Sequence, residues 1–136
     1  MIVIFTDIDG VLNPHWRKKW SKKSIELYNK LCDKYELKIV ITSTWRIAHS
    51  IDRLNDIFKE QGITTNIYDY TPILEKERGL EIKEWLDNNI CDNFIVIDDK
   101  TSDIEPFINK NVVKCRSWVG FSQEEYDEIC KILNDE

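Results

Sequence analysis

Three short motifs carry side chains of the types and spacing that could do chemistry together. Asp7 and Asp9 stand two residues apart in Asp7-Ile8-Asp9-Gly10, directly after an apolar run. Thr42-Ser43-Thr44 follows a second apolar run, and Asp98-Asp99 follows another, with Asp103 four residues beyond Asp99. Carboxylates gathered in one crevice cannot all stay ionised without a cation, and oxygen-only donors suit a hard divalent ion, Mg²⁺ first. Carboxylates, Mg²⁺ and a hydroxyl together suit phosphoryl transfer, where catalysis is mostly positioning and charge neutralisation. A separate cluster is cationic: Arg17, Lys18, Lys19, Lys22 and Lys23 lie within seven residues, interleaved with Trp16 and Trp20. A groove for single-stranded nucleic acid uses that mixture, charge for phosphates and rings for bases. The bland alternative is a solvated helix start, the usual fate of a charge run.

The elements that must position these residues can be read from periodicity. Ile2 to Thr6 is too short for a helix and rich in β-branched residues, so it predicts a buried strand ending at Asp7. Ile25, Tyr28, Leu31, Cys32 and Tyr35 fall at helical spacing, with Ser21 or Ser24 available as the cap. Leu37–Ile41 predicts a second strand, and Ile47, Ile51, Leu54, Ile57 and Phe58 a helix closed by Gly62. Ile63–Tyr68 predicts a weaker strand, Arg78–Asn88 a helix, Phe94–Ile97 a clean strand and Val112–Cys115 another. Ser122-Gln123-Glu124-Glu125 is a capping box opening a last helix. Strand and helix alternate throughout, which means an α/β fold with a parallel sheet covered on both faces. Such sheets bind ligands at the carboxyl ends of their strands, where all three motifs fall.

Composition sets the frame. The 136 residues are 42% hydrophobic and 32% charged, ordinary for a globular domain, so one domain over residues 1–136 is expected. The longest apolar run is Met1–Phe5, too short to cross a membrane, and it has neither the basic start nor the cleavage site of a signal peptide. A cytoplasmic protein is the expectation. Cys32, Cys91, Cys115 and Cys130 form no C-x-x-C and read as small core residues, neither a zinc site nor a disulfide frame. The net charge of −6 argues against broad nucleic-acid affinity. With the cations concentrated in 17–23, the remainder of the chain is more acidic still.

The order of the motifs resembles a known family. Asp7-Ile8-Asp9-Gly10-Val11-Leu12-Asn13 is similar to the first motif of haloacid dehalogenase (HAD) superfamily phosphatases. Thr42-Ser43 resembles their second motif, and Asp98-Asp99 with Asp103 their acidic fourth motif; the resemblance runs from Met1 to about Gly120. Ile41-Thr42-Ser43-Thr44-Trp45-Arg46 and Arg78–Leu86 resemble, more narrowly, the HAD domains of RNA-repair (polynucleotide phosphatase-like) proteins.

The resemblance implies a three-layer Rossmann-like fold with about five parallel strands, and a Mg²⁺-dependent phosphatase. Asp7 would be the nucleophile that forms an aspartyl-phosphate, and a metal ligand. Asp9 would be general acid and then base, its backbone carbonyl also touching the metal. Gly10 would let the chain bend beside the substrate. Thr42, or Ser43 if the strand ends one residue later, would bind the transferring phosphoryl group. Asp99 and Asp103 would hold the metal, with Asp98 coordinating or in the outer shell, and Asp103 alternatively only a helix cap. The family places a cation before the fourth motif, and Arg78 at a helix start is the choice, ahead of Lys76 and Lys83.

Short connections after Asp9 and after Gly62 leave no room for a cap domain. An open site of that kind favours a macromolecular substrate, so a phosphorylated nucleic-acid end is the expected partner, with Arg17, Lys18 and Lys22 along its backbone. Trp45 and Arg46 could steer substrate, or be a packed ring and an arginine paired with a nearby acid. The rivals are a small-molecule nucleotidase and a catalytically idle phosphate-binding module on the same fold. A phospho-acceptor of the response-regulator kind would carry its acidic pair after the first strand, whereas this chain carries it after the fourth.

Overall fold

Runs of Val and Ile with no polar alternation belong in strands buried on both sides, and five such strands form this sheet. The structure, a computed structural model, describes residues 1–134. The strands are β1 (Ile2–Thr6), β2 (Lys38–Ile41), β3 (Ile67–Tyr70), β4 (Asn93–Asp98) and β5 (Val112–Lys114). All neighbours are parallel, in the order β3-β2-β1-β4-β5. Register alternates the two faces. Ile4 lies beside Ile39 and Ile95, and Phe5 beside Val40 and Val96. On one face Ile4, Ile39, Ile41, Ile95, Ile97 and Val113 meet helices α1 (Lys22–Tyr35), α3 (Ile51–Gln61) and α5 (Gln123–Asn134). On the other, Val3, Phe5, Val40 and Val96 meet Ile82 and Trp85 of α4 (Arg78–Asn88) together with Ile104 and Ile108. Each large apolar side chain buried this way stabilises the fold by about 1.5–3 kcal/mol relative to exposure. The result is the three-layer Rossmann-like arrangement expected from the alternation.

The chain runs from β1 outward to β2 and β3, then returns across the sheet to β4 on the other side of β1. Strand order therefore reverses between β1 and β4, the place where open α/β sheets form a ligand crevice. The connections after β1 (7–21) and after β3 (71–77) carry no inserted helix or strand, so among the described residues no cap is inserted beside that crevice.

Two elements differ from the sequence expectation. The helix expected over 47–58 is broken in two, α2 (Trp45–Ala48) and α3, because His49 is extended and Ser50 caps the new helix by accepting from Arg53 N at 3.1 Å. The third strand lies at Ile67–Tyr70, not 63–68. Residue Ile63 is buried, but its N–H donates to Phe58 O at 2.9 Å as the chain leaves α3. The backbone beyond it is then held by amide side chains, Thr64 N donating to Asn29 Oδ1 and Ile67 N to Asn55 Oδ1. Thr64 is thereby tied to α1, and the strand starts at Ile67.

Gly79 explains how α4 starts where it does. A Cβ there would lie 2.8 Å from Ile104 O and 3.0 Å from Asp103 O, so only glycine lets the first turn of α4 rest on the loop after β4. Its N–H donates to Asp103 O at 3.0 Å. This contact sets Arg78 over the carboxyl end of β4. No helix among the described residues is long and apolar enough to cross a membrane.

Candidate active site

Asp7 leaves the end of β1 with its N–H donating to Ile97 O at 3.1 Å, so the first acid is tied to the neighbouring strand. Asp98 is the last residue of β4, and Asp99 follows it. Carboxylate oxygens of Asp7, Asp98 and Asp99 lie within 4.8 Å of one another. Arg78 closes the cluster, with Nη1 donating to Asp98 Oδ2 at 2.6 Å and lying 3.5 Å from Asp7 Oδ2. Lys100 N donates to Asp98 Oδ1 at 3.1 Å and Ser117 Oγ to Asp99 Oδ2 at 2.9 Å, which fixes both carboxylates from behind. Gly10 sits at φ +81°, and a Cβ there would fall 2.8 Å from the Cβ of Asp99. The glycine is thus required twice, for its left-handed backbone and for the space Asp99 occupies.

Burial governs the charges. It pushes Asp98 up to about 8, the neighbouring charge of Asp7 adding to the effect and Arg78 opposing it. Asp7 is also raised, by burial first, with Arg78 and the Ile8 N–H pulling it back and Asp99 pushing it further. For Arg78, burial works against the charged form, but Asp98 and Asp7 outweigh it and hold the guanidinium above its ordinary value. Asp7 and Asp98 thus share one guanidinium, with the Asp99 carboxylate beside them. Closely spaced, buried oxygen donors on rigid strand ends fit a hard divalent cation.

Beyond β2, Thr42 and Ser43 are both buried to within a few per cent, 1% and 2% exposed. Ser43 Oγ accepts from Trp45 N at 3.2 Å, at the turn that starts α2. Asp9 is half-buried, and its Oδ2 accepts from Trp45 Nε1 at 3.0 Å. The indole of Trp45 is itself wedged, stacked on His49 at 5.5 Å and edge-on to Trp20 at 5.6 Å.

The expected site residues beyond that cluster differ in what they reach. The carboxylates of Asp9 and Asp103 are outside the three-acid cluster, Asp103 contributing its backbone carbonyl to Gly79 and a more distant charge to Arg78. Arg46 does not reach the crevice as a substrate contact. Its side chain is 3% exposed, pairs with Glu81 Oε1 at 2.8 Å, and donates to the carbonyls of Thr42, Ser43, Thr71 and Pro72 at 2.7–3.3 Å. Every N–H direction it could offer a substrate is already spent on the protein. Of the three candidate cations, Arg78 reaches the acids, while Lys76 and Lys83 are exposed on the surface.

The basic stretch is split. Arg17, Lys18, Lys19, Lys22 and Lys23 are all exposed. Arg17 and Lys18 share a groove with Asp9, whereas Lys22 and Lys19 line a different one along α1. Trp20 is 6% exposed and belongs to the core, edge-on to Phe58, while Trp16 is 62% exposed.

Sequence reasoning did not find the Trp45–Asp9 bond, the Ser117 support of Asp99, or Glu81 as the partner of Arg46. Trp45 lies three residues beyond Thr42, so its neighbourhood was flagged but its partner was not. Ser117 carries no local signal, because its position depends on the turn between β5 and α5.

The family model described as the HAD domain in Swiss Army Knife RNA repair proteins matches residues 3–126. Nothing among curated proteins or solved structures matches the chain.

Proposed function

The chain belongs to the family of HAD domains in Swiss Army Knife RNA repair proteins, and from that premise we propose that it is a Mg²⁺-dependent phosphomonoesterase acting on phosphorylated nucleic-acid ends. The observation that carries this reading is Asp7 at the strand-order reversal, facing Arg78 and flanked by Asp98 and Asp99. Asp7 would attack the phosphorus with a carboxylate oxygen. The bond to the leaving oxygen breaks as the aspartyl-phosphate forms, and Asp9 gives that oxygen its proton. Asp9 then takes a proton from the water that attacks phosphorus, releasing inorganic phosphate and restoring Asp7. The indole N–H of Trp45 holds the Asp9 carboxylate in place between the two half-reactions. Thr42, the first hydroxyl beyond β2, would donate to a phosphoryl oxygen, while Ser43 Oγ receives the N–H of Trp45. Arg78 would counter the charge that gathers on Asp7 and the transferring group.

Asp7, Asp98 and Asp99 are the residues that would hold Mg²⁺, whose charge would neutralise the phosphoryl oxygens as negative charge builds up on them. Support for a nucleic-acid end comes from the family, from the uncapped crevice, and from the exposed cations of Arg17 and Lys18 beside Asp9.

The test is phosphate release from an aryl phosphate and from 3′- and 5′-phosphorylated oligonucleotides. Asp7→Asn should abolish release from all of them while the far-UV circular dichroism stays that of the parent. Substantial residual turnover in that variant would remove the aspartyl-phosphate mechanism.

A further inference from the structure

The loop between β1 and α1 is held more firmly than an uncapped surface loop needs to be. Asn13 grips it from both sides, Nδ2 donating to Arg17 O and Oδ1 accepting from Arg17 N, each at 3.0 Å. One amide of α3 pins its other end: Gln61 Oε1 accepts from Trp20 N and Gln61 Nε2 donates to Lys18 O, both at 2.9 Å. Inside the first of these clamps Trp16 sits at φ +53°, a backbone region that non-glycine residues seldom adopt. Its indole is 62% exposed. A large ring kept in water, on a backbone that opposes it, by a loop fixed at both ends, is a feature the core does not require.

The groove beneath, about 450 Å³, runs from Asp9 and Trp45 to Trp16, Arg17 and Lys18. We propose that this groove receives the terminal nucleotide of a single-stranded phosphorylated nucleic acid, its base stacked on Trp16 and the next backbone phosphate at Arg17 and Lys18. The inference rests on the phosphatase reading for the position of the terminal phosphate and adds what lies behind it. A ring face binds any base without reading its identity, and a neighbouring cation pair calls for a second anion one unit along the substrate. A phosphorylated peptide supplies no such second anion at a fixed spacing. A blunt duplex end keeps its terminal nucleotide paired and stacked inward, so only the outer face of its last pair is open to the indole. Lys22, on a different groove, takes no part.

Binding is measured apart from turnover, by fluorescence anisotropy of a labelled, terminally phosphorylated single-stranded hexanucleotide on the Asp7→Asn chain. Adding Trp16→Ala should weaken binding about tenfold, the order of one lost base stack. Trp16→Phe should restore most of it. Arg17→Ala with Lys18→Ala should lower the slope of log affinity against log salt by about 0.7 for the one lost phosphate contact, and Lys22→Ala by much less. The proposal is overturned by unchanged affinity in Trp16→Ala, by a Phe variant no better than Ala, or by a phosphoserine peptide or a blunt duplex binding as tightly. These outcomes leave aryl phosphate hydrolysis by the parent chain as a separate readout. Loss of that activity alone would refute the phosphatase mechanism and not the groove.

Discussion

Replacing Arg46 tests how the site is held together, because the structure makes this residue a clamp between two motifs. Its guanidinium reaches back to the carbonyls of Thr42 and Ser43 and across to Glu81 on α4, one turn beyond Arg78. Glu81 is equally committed, its second oxygen accepting from Leu74 N at 2.8 Å. Truncation by Arg46→Ala leaves the Glu81 carboxylate, 8% exposed, without its counter-ion. Breaking a buried pair from one side costs about 3–5 kcal/mol, and the unpaired carbonyls keep the loss toward the upper end. For a chain of this length about 4 °C of melting temperature is lost per kcal/mol, so the midpoint should fall by roughly 12–20 °C. Thermal and urea unfolding followed by circular dichroism would measure it. Arg46→Met with Glu81→Leu should recover much of the loss, since a buried pair replaced by apolar volume is often neutral. An Arg46→Ala variant within about 1 kcal/mol of the parent would refute the clamp and return the side chain to the crevice.

Two further outcomes follow from the acid cluster. Gly10→Ala places a methyl where Asp99 sits and demands a left-handed backbone of a residue that resists it. It should raise the Mg²⁺ concentration needed for half-maximal phosphate release at least tenfold, and cost about 1 kcal/mol or more in stability. Asp98 titrates higher in the fold, near 8, than its ordinary 3.8. Its contribution to stability is therefore fully present below about pH 4 and lost as pH rises through about 8. Metal-free protein should show a melting temperature that falls across that window, and Asp98→Asn should flatten the fall. An equally steep fall in Asp98→Asn would mean that another group titrates.

What was legible in the sequence was whatever depends on neighbours along the chain. β1 and β4 announce themselves as unbroken apolar runs, and Asp7 and Asp98 inherit their places from the strand ends. Arg78 could be chosen because a helix start is local. The misplaced third strand arose from Asn29 and Asn55, whose side chains capture backbone from distant elements. The same holds for Arg46. Its sequence position beside the hydroxyl motif matched a substrate contact equally well, and only the packing of α4 brings Glu81 to it. Trp16 and Trp20 look alike in sequence, yet Trp16 is 62% exposed and Trp20 6%. The partition of rings between core and solvent was settled by which side of the 13–20 loop faces Phe58 and Trp45.

The missing side chain at Gly79 gives the molecule a mechanical property. Because α4 touches the loop after β4 through main chain, the lever that carries Arg78 and the lever that follows Asp98 are joined without an intervening cushion of side chains. Asp98 itself stays in the sheet, paired with β5, so any side chain added at this joint would change the distance between the guanidinium and the carboxylate directly.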